Sequence, residues 1–156
     1  MIKLRHSLQI FIILSSVSTA LSQTQNQAKT FYNFSNKFSK YAEEFARTSK
    51  TLLEYEIGFK KTDLLFEIAR LAREKEYQFY HIADLVKIYH MSNEYAVKSF
   101  ARGSISRLKK TFDAAQKATI EYLDILIKAT TTQSTKEKTI EFRNDLIAAG
   151  AVLESL

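Results

Sequence analysis

Apolar side chains recur along most of this chain at the spacing of one face of an α-helix. The first run steps alternately by three and four residues, which is a heptad repeat with a seam for a partner helix. Its members are Phe31, Phe34, Phe38, Tyr41, Phe45, Thr48, Leu52, Tyr55 and Phe59. This run predicts a long helix that packs as in a coiled coil.

A second run has the 3.6-residue period of an ordinary amphipathic helix. It contains Leu64, Ile68, Leu71, Lys75, Phe79, Ile82, Val86, Tyr89, Asn93, Val97 and Phe100. Lys75 and Asn93 interrupt the apolar stripe, and Ser92 or Asn93 could mark a kink or a cap within it. The run predicts a second long helix, straighter than the first.

The connection between these two runs can be interpreted in two ways. Gly58 suits the position after a helix end, and Thr62 or Asp63 suits the next N-cap, which predicts a turn at 58–62. The heptad nevertheless continues through Phe59. One continuous rod through Gly58 is therefore the alternative.

Two further breaks complete the predicted order of elements. The sequence Arg-Gly-Ser at 102–104 predicts the clearest break, because glycine suits a helix end and serine an N-cap. A third heptad run covers 105–129, a polar and β-branched connection covers 130–135, and a last helix runs over 136–153. Four helices with short links predict an all-α, antiparallel helical bundle with heptad seams.

Composition supports this fold class. The 156 residues include no proline and only three glycines, whereas sheets and sandwiches need turn residues at short intervals. There is no cysteine, so the stability of the fold must come from packing, which the 46% of hydrophobic residues can supply.

The N-terminus has the pattern of a secretory signal peptide. Lys3 and Arg5 precede an apolar stretch at 8–14, and Ala20 and Ser22 supply small residues before a cut after Ser22. A cut after Ala20 fits nearly as well. The apolar stretch is shorter than the ~20 residues of a membrane-spanning helix, so an uncleaved anchor is the weaker alternative.

Cleavage would divide the chain into three parts. Residues 1–22 are the signal peptide, 23–30 a flexible polar lead-in and 31–156 a single helical-bundle domain. Removing the first part leaves 21 basic and 17 acidic residues, a formal charge of +4. We expect the mature protein to be secreted and not to span a membrane.

Catalytic and metal-binding patterns are missing from the sequence. It has no paired Glu-x-x-His, His-Glu-x-x-His, phosphate-binding loop or Gly-x-Ser-x-Gly motif. His81 and His90 are nine residues apart, so they point to opposite sides of one helix. We therefore expect no enzyme activity, no metal and no cofactor. Nucleic acid is not an expected partner either, because the basic residues form no single stripe.

The aromatic seam is the candidate for interaction or ligand binding. Its rings either fill the core or line a pocket for an apolar ligand. The candidate residues are Phe31, Phe34, Phe38, Tyr41, Phe45 and Tyr55. Since the last helix is much shorter than the second, the first three are expected to be the most exposed. Asn33 begins the sequon Asn-Phe-Ser, a candidate glycosylation site.

The function expected from these features is that of a secreted, non-enzymatic bundle that acts by protein–protein interaction. Its partner would be another protein or a second copy of the chain. The alternative is an extracellular carrier of lipids or other small hydrophobic molecules, held between aromatic-lined helices.

Overall fold

The protein is an all-α bundle of four helices. The computed structural model describes the backbone of residues 2–54 and 59–156 and the side chains of residues 22–51 and 62–156. The helices are α1 (Ile2–Glu54), α2 (Phe59–Met91), α3 (Tyr95–Ala129) and α4 (Gln133–Glu154), and the described residues include no strand. The predicted fold class is confirmed.

The helices pack in a ring, each against the next in sequence, and α4 returns to α1. The diagonal pairs α1–α3 and α2–α4 make no close backbone contact in the described part of the chain. Contacts at two levels give the directions of adjacent helices. Ser35 contacts Glu76, whereas Tyr32, earlier in α1, contacts Lys87, later in α2. Helices α3 and α4 are likewise joined by Asp124 with Arg143 and by Lys109 with Glu154. Both pairs are therefore antiparallel.

The first two helices fold back on each other, so the alternative of a continuous rod is wrong. The predicted turn at 58–62 is wrong over 59–62, because α2 already begins at Phe59 and includes Thr62 and Asp63. Gly58, the proposed helix end, lies outside the described residues.

The second connection lies at 92–94, and the predicted break at 102–104 is wrong. Ser92 ends α2 locally, since its Oγ accepts a hydrogen bond from the Glu94 amide at 3.1 Å. Gly103 instead lies inside α3, where nothing approaches within 4 Å of the position its Cβ would occupy. Glycine in a solvent-facing turn costs a helix only about 1 kcal/mol, which is too little to end it. The third connection, 130–132, falls within the predicted one.

The seam of α1 follows a different register from the predicted one. From Ala28 onward its main buried positions alternate a small residue with a phenylalanine. With Thr24 before them, they are Ala28, Phe31, Ser35, Phe38, Ala42, Phe45 and Ser49. Tyr41 of the predicted seam is buried as well, at 7% exposed. The stretch 23–30, expected as a flexible lead-in, is thus part of α1 and contributes two of these buried positions.

The small residues of this seam let α1 and α2 approach closely. Ser35 shows the contact directly, because its Oγ donates to the carbonyl oxygen of Glu76 at 3.0 Å. Phe34 and Tyr41 lie beside the seam, and Tyr41 packs on α4, with its ring 4.9 Å from that of Phe142. Helix α1 therefore buries one side against α2 and the other against α4.

One lysine lies inside the bundle. Lys75 is 1% exposed, its Nζ lies 4.9 Å from the centre of the Phe112 ring and it donates to Oε1 of Gln78 at 3.2 Å. Burial lowers the pKa of Lys75. The residue that interrupts the apolar stripe in the sequence thus occupies a core position.

Helix α4 ends well before its neighbours do. Nζ of Lys109 donates to the carbonyl oxygen of Glu154 at 3.1 Å, so the end of α4 is level with Lys109 of α3. Helix α3 extends beyond this level for residues 95–108, which is about 21 Å of helix. The bundle therefore has four helices at one end and three at the other.

Candidate functional site

The candidate residues of the aromatic seam form the packed core of the four-helix part. Phe31, Phe38 and Phe45 are at most 1% exposed, and Phe34 packs against this cluster. The Phe38 ring lies 5.4 Å from that of Phe79 and 5.7 Å from that of Phe142. The expected exposure of Phe31, Phe34 and Phe38 is thus wrong, because α2 and α4 cover them from both sides. Tyr55 lies outside the described residues.

The Tyr41 hydroxyl has a partner from the protein itself. It donates to Oδ2 of Asp145 at 2.6 Å, while Nζ of Lys37 donates to Oδ1 of the same carboxylate at 2.6 Å. Burial, together with the carboxylate, raises the pKa of Tyr41. This cluster ties α1 to α4.

A second cluster of the same residue types ties α1 to α2. The Tyr32 hydroxyl donates to Asp84 and accepts a hydrogen bond from Nζ of Lys87 at 2.9 Å. The Lys87 ammonium also lies 4.4 Å from the centre of the Tyr32 ring, a cation–π contact. The hydrogen bond to Asp84 raises the pKa of Tyr32. Both clusters therefore stabilise contacts between helices.

The two histidines lie on different surfaces. His81 faces a groove between α2 and α3, while His90 faces a cleft near the end of α4. In the described part of the chain, no three side chains of the metal-binding types come close enough to hold an ion. Among the same residues, no helix has the length and hydrophobicity needed to cross a membrane.

The groove between α2 and α3 is the strongest candidate for a binding surface, and we call it the α2–α3 groove. Half of its lining residues are apolar, namely Leu85, Ile88, Phe100 and Leu108. The other half are polar, namely His81, Asp84, Ser104 and Arg107. The groove lies at the end of the bundle where α4 is absent.

Large apolar side chains are unusually exposed in and beside this groove. Phe100 is 64% exposed and Ile88 41%, and Met91, one turn after Ile88, is 71% exposed. Single exposed apolar residues are common, but a cluster of this size around a groove is typical of interaction sites.

Sequence reasoning missed this surface, although a signal was present. Helix α2 carries a second stripe at spacings of three and four residues, made of Tyr77, His81, Asp84, Ile88 and Met91. It lies opposite the core stripe of Phe79 and Val86, because the two stripes differ by about half a helical turn. A break at 102–104 would place Phe100 on the core stripe of the second helix, so its exposure at the surface was not expected from the sequence.

Asn33, the candidate glycosylation site, is exposed on α1, whereas Ser35 of the same sequon is buried. The side chain that would carry a glycan therefore faces away from the bundle.

Comparison of the chain with protein-family models, with curated proteins and with solved structures gave no match.

Proposed function

We propose that this protein is exported and acts, without catalysis, by binding another protein through the α2–α3 groove. The observation that carries the proposal is the exposure of Phe100 and Ile88 in this groove and of Met91 beside it. Aromatic and methionine side chains are enriched in protein interfaces, where a few such anchors supply most of the binding energy.

The polar side chains of the groove support the proposal as well. Arg107 and His81 can donate hydrogen bonds to a partner, and Ser104 already receives one from Arg107 at 3.2 Å. Polar groups beside apolar anchors can fix the orientation of a bound partner. By contrast, the core rings of the four-helix part pack against one another and are not available to a partner.

Export is supported by the N-terminal pattern, in which Lys3 and Arg5 precede an apolar stretch at 8–14 and the small residues Ala20 and Ser22. N-terminal sequencing of protein collected from the medium of its source cells should begin at Gln23, or at Leu21 for the earlier cut. Retention of Met1 would contradict export by this route.

Photo-cross-linking tests the groove. We would replace Phe100 with p-benzoylphenylalanine in the full chain and, as a matched control, make the same replacement at Tyr122, which is also exposed on α3. The two positions are 22 residues apart, which is about 33 Å of helix. The expected result is a discrete cross-linked product from position 100 only, with its partner identified by mass spectrometry.

Control variants and the mass of the product distinguish a specific partner from a second copy and from unspecific cross-linking. Ile88→Ser with Met91→Ser should abolish the product, since both changes remove apolar area beside position 100 but disturb no core residue. A product of twice the chain mass would make a second copy the partner. Equal products from positions 100 and 122, or none from either, would contradict the proposal.

A further inference from the structure

A cleft of about 320 Å³ lies below the end of α4, on a different side of the bundle from the α2–α3 groove. It is bounded by Gln27 of α1, by Val86, Tyr89 and His90 of α2, and by Arg102 and Ile105 of α3. Ser155 and Leu156, directly after α4, close the remaining side. The cleft occupies the level at which a longer fourth helix would complete the ring.

The walls and the mouth of this cleft differ in chemistry. Val86 is fully buried and Ile105 is half-buried, so the inner wall is apolar. The mouth carries Arg102, which is exposed and has no ion-pair or hydrogen-bond partner among the described residues. No Asp or Glu side chain lines the cleft.

A second cation lies beside the mouth. Nζ of Lys98 is 5.9 Å from the centre of the Tyr89 ring, and Tyr89 lines the cleft. Lys98 has no carboxylate partner within the described residues either. The ring of His90 stands edge-on to that of Tyr89, with 5.1 Å between the ring centres, and it lines the same cleft.

From this arrangement we infer that the cleft binds a small amphipathic carboxylate, such as a medium-chain fatty acid. The alkyl chain lies against Val86, Ile105 and Leu156, and the carboxylate pairs with Arg102. Guanidinium binds a carboxylate through two parallel hydrogen bonds, which makes arginine the natural residue for this contact. The volume is within the range of small-molecule sites, at its lower end. This inference does not depend on protein binding at the α2–α3 groove.

Calorimetric titration of the full chain with dodecanoate tests the inference. We expect saturable binding at one site per chain. Arg102→Gln should weaken binding by about tenfold or more, because a charge-assisted pair is lost. Arg47→Gln is the matched control, since it removes the same charge from an exposed position of α1 about 30 Å along that helix from Gln27. The control should bind within about twofold of the unchanged protein.

Two further measurements separate this site from unspecific uptake. Ile105→Trp fills the half-buried wall and should abolish binding, with circular dichroism confirming that helix content is kept. Dodecanol, which has the same chain but no charge, should bind at least about tenfold more weakly than dodecanoate. Absence of saturable binding, equal loss in Arg102→Gln and Arg47→Gln, or undiminished binding by folded Ile105→Trp would each overturn the inference.

Discussion

The two ends of this bundle have similar side chains in different surroundings. In the four-helix part, Phe38, Phe79 and Phe142 are fully buried against one another. In the three-helix part, Phe100 belongs to the same kind of apolar helix face but is 64% exposed. Phe100 lies in the α2–α3 groove, on a face of α3 that no described helix covers. An apolar periodicity therefore predicts a core only where a partner helix covers that face.

The strongest test of this comparison removes one phenylalanine ring from each end of the bundle. Phe142→Ala should destabilise the protein by about 3–5 kcal/mol, because it empties a site where Phe38, Tyr41 and Phe45 meet. Phe100→Ala should change stability by less than about 0.5 kcal/mol. Urea unfolding followed by circular dichroism measures both. Comparable losses in the two variants would show that the three-helix part is as closely packed as the other.

Lys75 gives the next largest expected effect. Lys75→Met should stabilise the bundle by about 1–4 kcal/mol, because methionine fills a similar volume without a charge that burial desolvates. The folded-state pKa of Lys75 is lowered, so the folded chain binds fewer protons than the unfolded chain between that pKa and the ordinary lysine value. Stability should therefore rise with pH through that window.

The pH series provides the control for this variant. The advantage of Lys75→Met over the unchanged protein should shrink as the pH approaches about 10.4, where the unfolded-state lysine also loses its proton. Urea unfolding from pH 7 to 10 measures the trend. A constant difference across this range would mean that the charge of Lys75 does not cause the effect.

Tyr41→Phe compares the two tyrosine clusters. The loss of the hydroxyl leaves Asp145 with Lys37 alone and should cost about 1.5 kcal/mol. Tyr32→Phe should cost less, because the Tyr32 cluster is more exposed to water. Thermal unfolding at pH 7 ranks them. Since the pKa of Tyr41 is raised, its contribution should persist at neutral pH and fall only above about pH 10.

Two glycines give the smallest effect and the sharpest contrast. Gly103→Ala in the three-helix part should stabilise α3 by about 0.5–1 kcal/mol, since its Cβ meets open space. Gly150→Ala in α4 should gain less or destabilise, because its Cβ would lie 2.6 Å from Nε2 of Gln116. That nitrogen donates to the Leu146 carbonyl oxygen at 3.0 Å and would have to move. Equal gains in thermal unfolding would contradict the contrast.

The sequence was sufficient for the number of helices and for their antiparallel arrangement. Its aromatic seam correctly placed Phe31, Phe38 and Phe45 on a buried face of α1. It also indicated the burial of Tyr41, which packs against α4. It missed the small buried residues Ala28, Ser35 and Ala42, because they carry too little hydrophobic signal. Close helix packing selects small side chains, and small side chains are weak signals in a periodicity.

The misplaced break at 102–104 had a further consequence for the site. Local preference favoured a stop at Gly103, while the tertiary structure continues the helix from Tyr95. Once the break moves to 92–94, Phe100 no longer belongs to α2 and faces α2 from α3. Neither the α2–α3 groove nor the cleft below α4 could be predicted without that correction, because both depend on which helix carries residues 95–105.

The bond between Tyr41 and Asp145 joins positions 104 residues apart. Closing a loop of this length costs more conformational entropy than closing the short loops between consecutive helices. Local contacts therefore tend to form first during folding. We therefore expect the α1–α2 pair to assemble early and the docking of α4 on α1 to be the closing step of folding. The Tyr41–Asp145–Lys37 cluster then holds α4 against α1 and closes the ring of four helices.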